Sequence, residues 1–380
     1  MKSKHIVFLI IQATCLEIPF HQLLKVTRNC TCEDVKLCEP VRITRDKEFF
    51  GFMYPFTRNF REYNWTRLTT VAWQDDPELV CMAHAHGVRV VANAGDLKEA
   101  LSGPVKRVEW VLQKVNYIIA HALDGINFDL EEAAVPGSDV AKAYTQLVGL
   151  TAEVLHDLMP YSQVSVDVPW TPFDSDGRNY EWTELSRHAD LLFVMGYDMQ
   201  AQIWGRCIAS ANDPLALVRN GLKQWLYLVP ASVLVLGVPW YGYDYECVSY
   251  DGQADLTLGV GQQMQEACGG SPGGAGRGEV CELHPAEFRG APCSDLVGAQ
   301  RPIAELLQVM DSDAAGNMKW DPLQQAPYFN YAKAGKMHQE GFPQDPLFLC
   351  WCTIGKVSSC CFLVWQASGL CKRVCLQRRK

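Results

Sequence analysis

The stretch 124–131, which reads DGINFDLE, alternates polar and apolar side chains. In a β-strand this alternation places one amide and two carboxyls on the same face: Asn127, Asp129 and Glu131. Burying such a face costs free energy unless a site uses it, so the pattern predicts chemistry at the end of the strand. Two carboxyls this close suit proton transfer, because ionisation of one disfavours ionisation of the other. We therefore expect Glu131 to stay protonated as a general acid, with Asp129 as the neighbouring charge.

A competing interpretation of this stretch is an exposed edge strand with solvated acids. Asp is disfavoured in strands, and the opposite face of the stretch is entirely apolar, which argues against that interpretation. Asp124 has the opposite parity and is expected at the entrance of the strand.

The elements that would position these residues are short apolar runs that alternate with helical stretches. Seven runs predict strands: Phe49–Met53, Leu68–Ala72, Val88–Ala92, Gly125–Asp129, Val164–Val168, Leu191–Met195 and Val233–Val238. Helices are predicted at Pro104–Ala122 and Ala141–Leu158, so the order indicates parallel βαβ units in an α/β fold. A doubly wound sheet is the alternative. Polar and aromatic residues at the carboxyl ends of strands, namely Asp129, Tyr197 and Trp240, favour a barrel.

The stretch 124–131 resembles the DGxDxDxE signature of glycoside hydrolase family 18, with Asn127 standing where most members carry the middle Asp. Four further stretches resemble the family in the same order: 191–209, 236–247, 288–295 and 326–331. They are most similar to its lysosomal, exo-acting branch. The resemblance runs from about Cys30 to about Gln339. It implies a (β/α)8 TIM barrel.

The resemblance also implies a mechanism without metal or cofactor. Glu131 would donate a proton to the glycosidic oxygen, and the substrate's own N-acetyl group would replace an enzyme nucleophile, as the family is an exception to the two-carboxylate rule. Asp129 would orient that group and stabilise an oxazolinium intermediate, with retention of configuration. In the family's MxYD motif, here at Met195–Asp198, the Tyr197 hydroxyl would bond the acetamido oxygen. Without the family, Tyr197 would be interpreted as a core aromatic.

Further substrate-binding residues are expected on the same side of the barrel. Asp198 would line the acetamido subsite, and Asn127 lies on the catalytic strand. Trp240 and Tyr241 offer aromatic faces to sugar rings, although such a cluster by default indicates packing. Asp96 follows the third strand and is expected to line the pocket.

The cysteines indicate an oxidising environment. Of 16 cysteines, ten lie between Cys15 and Cys293, and a zinc site is disfavoured because no second spaced pair follows Cys30 and Cys32. Sequons at Asn29 and Asn64 are candidate glycan acceptors. His84 and His86 resemble a metal pair, but without a third ligand a surface role is favoured.

The chain divides into a signal-like segment at 1–28, a catalytic barrel at 29–339 with a Gly-rich insertion at 251–279, and a Cys-rich tail at 340–380. The tail is expected to lack the family's eighth strand, which would leave the barrel incomplete. A strand over Cys361–Trp365 is the alternative for the tail, and metal binding by its cysteines is the least supported one.

Charge and hydropathy narrow the function classes. The net charge of −9 on 380 residues argues against nucleic acid, and no apolar run is long enough to span a membrane. The family resemblance implies a monomer in the lysosome that binds N-acetylglucosamine-containing oligosaccharides. It would cleave the GlcNAc-β1,4-GlcNAc core of N-linked oligosaccharides from the reducing end. An endo-acting chitinase, a sugar-binding lectin and an inactive truncated barrel are the alternatives, and retention of Glu131 argues against the lectin.

Overall fold

The computed structural model describes nine ranges, the last as backbone only: residues 29–43, 47–52, 59–173, 175–199, 207–255, 277–289, 291–312, 318–341 and 361–362. The predicted signal-like segment, most of the Gly-rich insertion and most of the tail lie outside the described residues. The backbone divides into two compact units. The first comprises residues 1–168, 177–193 and 228–235, and the second comprises 169–176, 194–227 and 236–380.

The predicted parallel sheet is present. Its strands are β1 (Phe50–Phe52), β2 (Thr70–Ala72), β3 (Arg89–Asn93), β4 (Gly125–Phe128), β5 (Gln163–Pro169), β6 (Leu191–Met195) and β7 (Leu234–Gly237). They follow one another in chain order, and the pairs from β1 to β5 are parallel. Because sequential parallel strands need a crossover for each step, this order is that of a (β/α)8 barrel.

The eighth position in the sheet order is occupied by a short strand from the tail. The strand β15 (Cys361–Phe362) follows β7. The expectation that the tail contributes no eighth strand is corrected to this extent. The alternative strand over Cys361–Trp365 is present in its first two residues, and the other three lie outside the described part of the chain.

Helices connect the strands. They are α1 (Pro77–Ala85), α2 (Lys98–Leu101), α3 (Pro104–Ala120), α4 (Asp139–Leu158), α5 (Trp182–His188), α6 (Leu215–Leu228) and α7 (Ile303–Met310). Pro104 begins α3 at a position where its missing N–H costs nothing. Ser138 caps α4, accepting a hydrogen bond from the Ala141 N–H. On the helix side of the sheet, Phe128 packs against Trp110 of α3 and Tyr144 of α4.

The entrance of β4 is fixed by a buried ion pair that the sequence did not reveal. Asp124 is fully buried, accepts the backbone N–H groups of Val41 and Val90 at 2.7 Å, and contacts His84 Nε2 at 2.9 Å. The expected surface role of His84 is therefore wrong, since its side chain is 2% exposed. The hydrogen bond and charge of Asp124 outweigh burial, which opposes them, and raise the pKa of His84.

The second unit contains antiparallel sheets. One has the strand order β11 (Ala299–Pro302), β8 (Tyr241–Glu246), β14 (Lys336–Gly341), β13 (Ala326–Lys333) and β12 (Lys319–Asp321). The other pairs β9 (Ser249–Asp255) with β10 (Arg277–Glu282). The predicted insertion at 251–279 thus begins and ends within a hairpin.

Eight of the cysteines form four disulfides in the described residues: Cys30–Cys38, Cys32–Cys81, Cys207–Cys293 and Cys247–Cys281. This confirms the expectation of disulfides. The cluster Cys30, Cys32 and Cys38 brings three sulfurs together, but each sulfur is bonded to another cysteine. Among the described helices, none is both long and apolar enough to cross a membrane.

Gly125 is the residue at which β4 approaches β5 most closely, and we expect Gly125→Ala to disrupt the sheet. Its φ is +157°, and an added Cβ would lie 1.9 Å from the Gln163 carbonyl oxygen. The variant should lose soluble yield or several kcal/mol of stability, about the range of severe core changes. Gly252→Ala is the control, because the nearest atom to its added Cβ is 3.9 Å away. Equal thermal melting of both variants and the parent would contradict this role.

Candidate active site

Asn127 is the most deeply buried polar residue of the predicted catalytic strand, with no exposed surface. Its Oδ1 accepts a hydrogen bond from Trp73 Nε1 at 2.7 Å. Its Nδ2 donates to Ser165 Oγ at 3.0 Å and to Asp167 Oδ1 at 2.8 Å. Both amide atoms are therefore engaged by protein groups, which fixes the orientation of the Asn127 side chain.

The strand β4 ends at Phe128, and Asp129 is the next residue. The observed strand is therefore one residue shorter than the predicted one. Burial, followed by the charge of Glu131, raises the pKa of Asp129 to about 7, and the Arg178 guanidinium opposes this shift. Its Oδ1 is buried and receives no hydrogen bond from the described residues. The sequence predicts Asp129 as the charged neighbour of Glu131, and the raised pKa makes Asp129 easier to protonate than an ordinary aspartate.

Glu131 is more accessible than Asp129, because its side chain is 48% exposed. Its Oε2 lies 3.2 Å from Nη1 of Arg178, whose own side chain is 8% exposed. A backbone bridge joins Ala134 to Arg178, and the Tyr180 hydroxyl donates to the Glu132 carbonyl at 2.7 Å. The segment after β4 is thus tied to residues 177–180, which place the guanidinium beside the predicted acid.

In the second unit, Asp198 is the centre of a tyrosine cluster. Its Oδ1 accepts hydrogen bonds from the hydroxyls of Tyr241 and Tyr243, each at 2.8 Å. Its backbone N–H donates to Asn212 Oδ1 at 2.7 Å, which holds Asp198 at a φ of +57°. Tyr197 is half-buried, and its ring meets that of Tyr241 edge-on with centroids 6.1 Å apart.

Two other predicted residues have different surroundings. Trp240 is half-buried, and its carbonyl accepts the backbone N–H of Ile303. Asp96 is exposed, and its Oδ1 accepts the Lys98 N–H at 2.9 Å just before α2.

Comparison with known proteins identifies the chain's relatives. A family profile described as "Glycosyl hydrolases family 18" matches residues 78–342. The "Di-N-acetylchitobiase" of Rattus norvegicus is 36% identical over 315 residues, which cover 82% of this chain and 78% of that protein. The protein of the same description from Homo sapiens is also 36% identical, over 82% of this chain and 75% of its own length.

The chain belongs to glycoside hydrolase family 18.

A solved structure confirms the barrel fold of this family 18 member. This structure is a crystal structure of a mutant Class V chitinase from Nicotiana tobaccum in complex with NAG4. The superposed region covers 84% of this chain and 94% of the chitinase chain. Its TM-score is 0.59 at 14% sequence identity, so the likeness concerns the fold alone. The family profile ends at residue 342, close to Gln339, where the motif resemblance stops. The chain is therefore a glycoside hydrolase.

The carboxyls of this family 18 site occupy contrasting environments. Asp129 is largely buried, whereas Glu131 is accessible and paired with a guanidinium. Two nearby carboxyls in unlike surroundings are suited to different roles in one reaction. An accessible carboxyl can reach a leaving oxygen, and a shielded one can stabilise a developing positive charge from a fixed position.

Sequence reasoning missed several residues of these clusters: Asp167, Arg178, Asn212 and Tyr243. A usable pattern existed for Asp167, because Ser165 and Asp167 interrupt an otherwise apolar strand with the same parity. No local pattern marked Arg178 or Asn212, since the side chain of each contacts a residue on another segment that only the fold brings close.

The raised pKa of Asp129 predicts that the protein is more stable in acid. Its value rises from 3.8 to about 7 on folding, so this contribution is complete below about 3.8 and is lost as pH rises through about 7. Burial also raises the pKa values of Asp167 and Glu340, which adds to stability in acid. The hydrogen bond from Lys336 lowers the pKa of the exposed Glu246, which has the opposite effect. We expect the melting temperature to be several degrees higher at pH 5 than at pH 8.

The matched variant is Asp129→Asn, which keeps the shape and removes the titrating group. It should flatten part of the dependence of melting temperature on pH. A parent that melts higher at pH 8, or a variant with an unchanged curve, would contradict the assignment.

Proposed function

We propose that this family 18 enzyme is an exo-acting glycosidase that cleaves the GlcNAc-β1,4-GlcNAc core of N-linked oligosaccharides from the reducing end. The observation that carries the proposal is the pair formed by half-buried Asp129 and accessible Glu131 beside Arg178. The chain's similarity to proteins described as di-N-acetylchitobiase supports this substrate class. The complex of a fold relative with NAG4 is consistent with it.

In the proposed reaction, Glu131 donates its proton to the glycosidic oxygen. The substrate's acetamido oxygen attacks the anomeric carbon as the bond to the leaving sugar breaks, which forms an oxazolinium ion. Asp129 accepts the acetamido N–H and balances the positive charge. Glu131, now a carboxylate, takes a proton from water as that water opens the ring. The product keeps the configuration of the substrate.

The tyrosine cluster of the second unit is proposed to bind the acetamido group. Tyr197 would donate its hydroxyl to the acetamido oxygen, and Asp198 would line this subsite. The two hydroxyls on Asp198 Oδ1 fix that carboxylate, which supports a fixed binding group. Trp240 and Tyr241 are proposed to contact sugar rings, and Asp96 to lie at the rim of the site.

We propose that the enzyme acts as a monomer in the lysosome, which it reaches through the secretory pathway. Four disulfides support an oxidising route. The sequon at Asn64 is exposed, so a glycan could be attached there. Lower stability at pH 5 than at pH 8 would argue against an acidic compartment.

Glu131→Gln should remove roughly 10²-fold to 10⁴-fold of kcat, because the amide cannot donate the proton that the leaving oxygen needs. The control is Glu132→Gln, which changes the adjacent exposed glutamate and should leave kcat close to that of the parent. Hydrolysis of a chitobiose-core oligosaccharide is the assay, with circular dichroism to confirm folding. Equal loss in both variants, or none in Glu131→Gln, would remove Glu131 from the role of acid.

Exo action from the reducing end is tested with the same oligosaccharide in two forms, one with a free reducing end and one reduced to the alditol. We expect cleavage of the free form and slower cleavage of the alditol by on the order of 10²-fold, the effect of a misplaced reacting sugar. Proton NMR of the first product formed should show the β-anomer. Equal rates on both forms would favour an endo-acting enzyme, and an initial α-anomer would exclude retention.

A further inference from the structure

Asp167 is a buried carboxyl in β5 that the proposed reaction does not use. It is 5% exposed, and its Oδ1 accepts a hydrogen bond from Asn127 Nδ2 at 2.8 Å. The same amide nitrogen also donates to Ser165 Oγ. Because Asn127 is held in addition by Trp73, its orientation does not depend on a charge at position 167.

The register of the sheet places Asp167 beside Asp129. Strands β4 and β5 are parallel, with Asn127 opposite Ser165 and Phe128 opposite Val166. The residues that follow this last pair are Asp129, just beyond the end of β4, and Asp167 in β5. In a parallel pair, residues at the same register whose side chains have the same parity point to the same face of the sheet. The two carboxyls are therefore neighbours across the strand pair.

The surroundings of Asp167 disfavour a second charge. Burial, then the charge of Asp129 and that of Glu131, raises its pKa well above the usual range, although the Asn127 amide opposes this. From α4, the titratable group that interacts with both carboxyls is Tyr144. Its hydroxyl has no hydrogen-bond partner among the described residues. Burial, then the charges of Asp167 and Asp129, raises the pKa of Tyr144. Arg178 acts on Asp129 and Glu131. Two buried carboxyls in such a setting titrate as a pair.

A purely structural role for Asp167 is a poor explanation of these contacts. An amide or hydroxyl at this position would also accept the Asn127 N–H, without the cost of burying an ionisable group. The buried Oδ1 of Asp129 receives no hydrogen bond from the described residues, and a protonated neighbour would supply one. A carboxyl at position 167 is able to hold that proton.

We propose that Asp167 is a positioning residue that shares one proton with Asp129, so that the two carboxyls together carry a single negative charge. This inference rests on the proposed function for its catalytic meaning. Asp167 holds the shared proton and donates it to the Asp129 carboxylate, so that the negative charge lies on Asp129 when Asp129 accepts the acetamido N–H of the substrate. By sequence resemblance, most family members carry a carboxyl at the position of Asn127; in this chain β5 supplies it.

Three variants separate this role from packing. Asp167→Asn keeps the shape and removes the proton-holding group. The double exchange Asn127→Asp with Asp167→Asn moves the carboxyl to β4 and reverses the hydrogen bond between the two side chains. Ser165→Ala is the control, because it removes the other acceptor of the Asn127 amide without changing any charge. Circular dichroism and melting temperature establish which variants are folded.

The first readout does not require activity. Carbon-13 NMR of protein labelled at the aspartate carboxyls, with Asp129→Asn as the assignment variant, should show the pair titrating in two steps. One step is expected near the value of about 7 given by Asp129. The second is expected above it, because removing the last shared proton leaves two adjacent negative charges. Asp167→Asn should lose the upper step, the double exchange should recover it, and Ser165→Ala should keep both.

The second readout is kinetic. Asp167→Asn should lower kcat on the chitobiose-core oligosaccharide by on the order of 10-fold or more, with KM nearly unchanged, because it acts through the alignment and ionisation of Asp129. The alkaline limb of its pH profile should move, and the double exchange should regain part of the kcat.

The outcomes distinguish this inference from the proposed function. An Asp129 titration that is identical in the parent and in Asp167→Asn would overturn the shared proton, even if the parent is an active chitobiase. Failure of the double exchange, when folded, to regain the upper step would do the same. If the parent does not hydrolyse the oligosaccharide but the titrations behave as expected, the proposed function fails and the proton-sharing pair stands.

Discussion

The hydrogen bond between Asn127 and Asp167 is the constraint on which the catalytic part of the structure depends. It joins two neighbouring parallel strands inside a sheet, where an unpaired polar group costs roughly 1–3 kcal/mol. The amide is satisfied on all sides only because Trp73 and Ser165 also reach it. These contacts set the register at which β4 ends, and therefore the point at which Asp129 begins the site.

The loops around the site give Asp129 and Glu131 different surroundings. The bridge between Ala134 and Arg178 brings a buried guanidinium to Glu131, which remains accessible. Asp129, two residues earlier, is shielded by the sheet. The contrast follows from the end of β4 at Phe128. Asp129 directly follows the strand and stays against the protein, whereas Glu131 lies in the loop and is accessible.

Buried carboxyls recur elsewhere in the molecule as organisers of the backbone. Asp124 holds the starts of two neighbouring segments at the entrance of β4. In the second unit, Asp244 accepts hydrogen bonds from Tyr331 and contacts His338, each at 2.9 Å. Burial, together with the charge of Asp244, raises the pKa of nearby Glu340 to about 8. A protein built around partly protonated carboxyls is most stable where protons are abundant, which agrees with the proposed acidic compartment.

The sequence by itself determined the strand and helix order, the acidic strand and the family, because period-2 alternation and motif spacing are local properties of the chain. It located Asp129 and Glu131 but did not indicate which of them is more shielded, since burial depends on where the strand ends. It interpreted His84 as a surface residue, because only the fold brings Asp124 to it across 40 positions of sequence. Arg178 and Asn212 were decided by tertiary structure alone, and so were the partners of Asp167, although its parity with Ser165 marked its position in the strand. Their partners lie on other strands and loops, so electrostatics and hydrogen bonding act on them only after those segments pack.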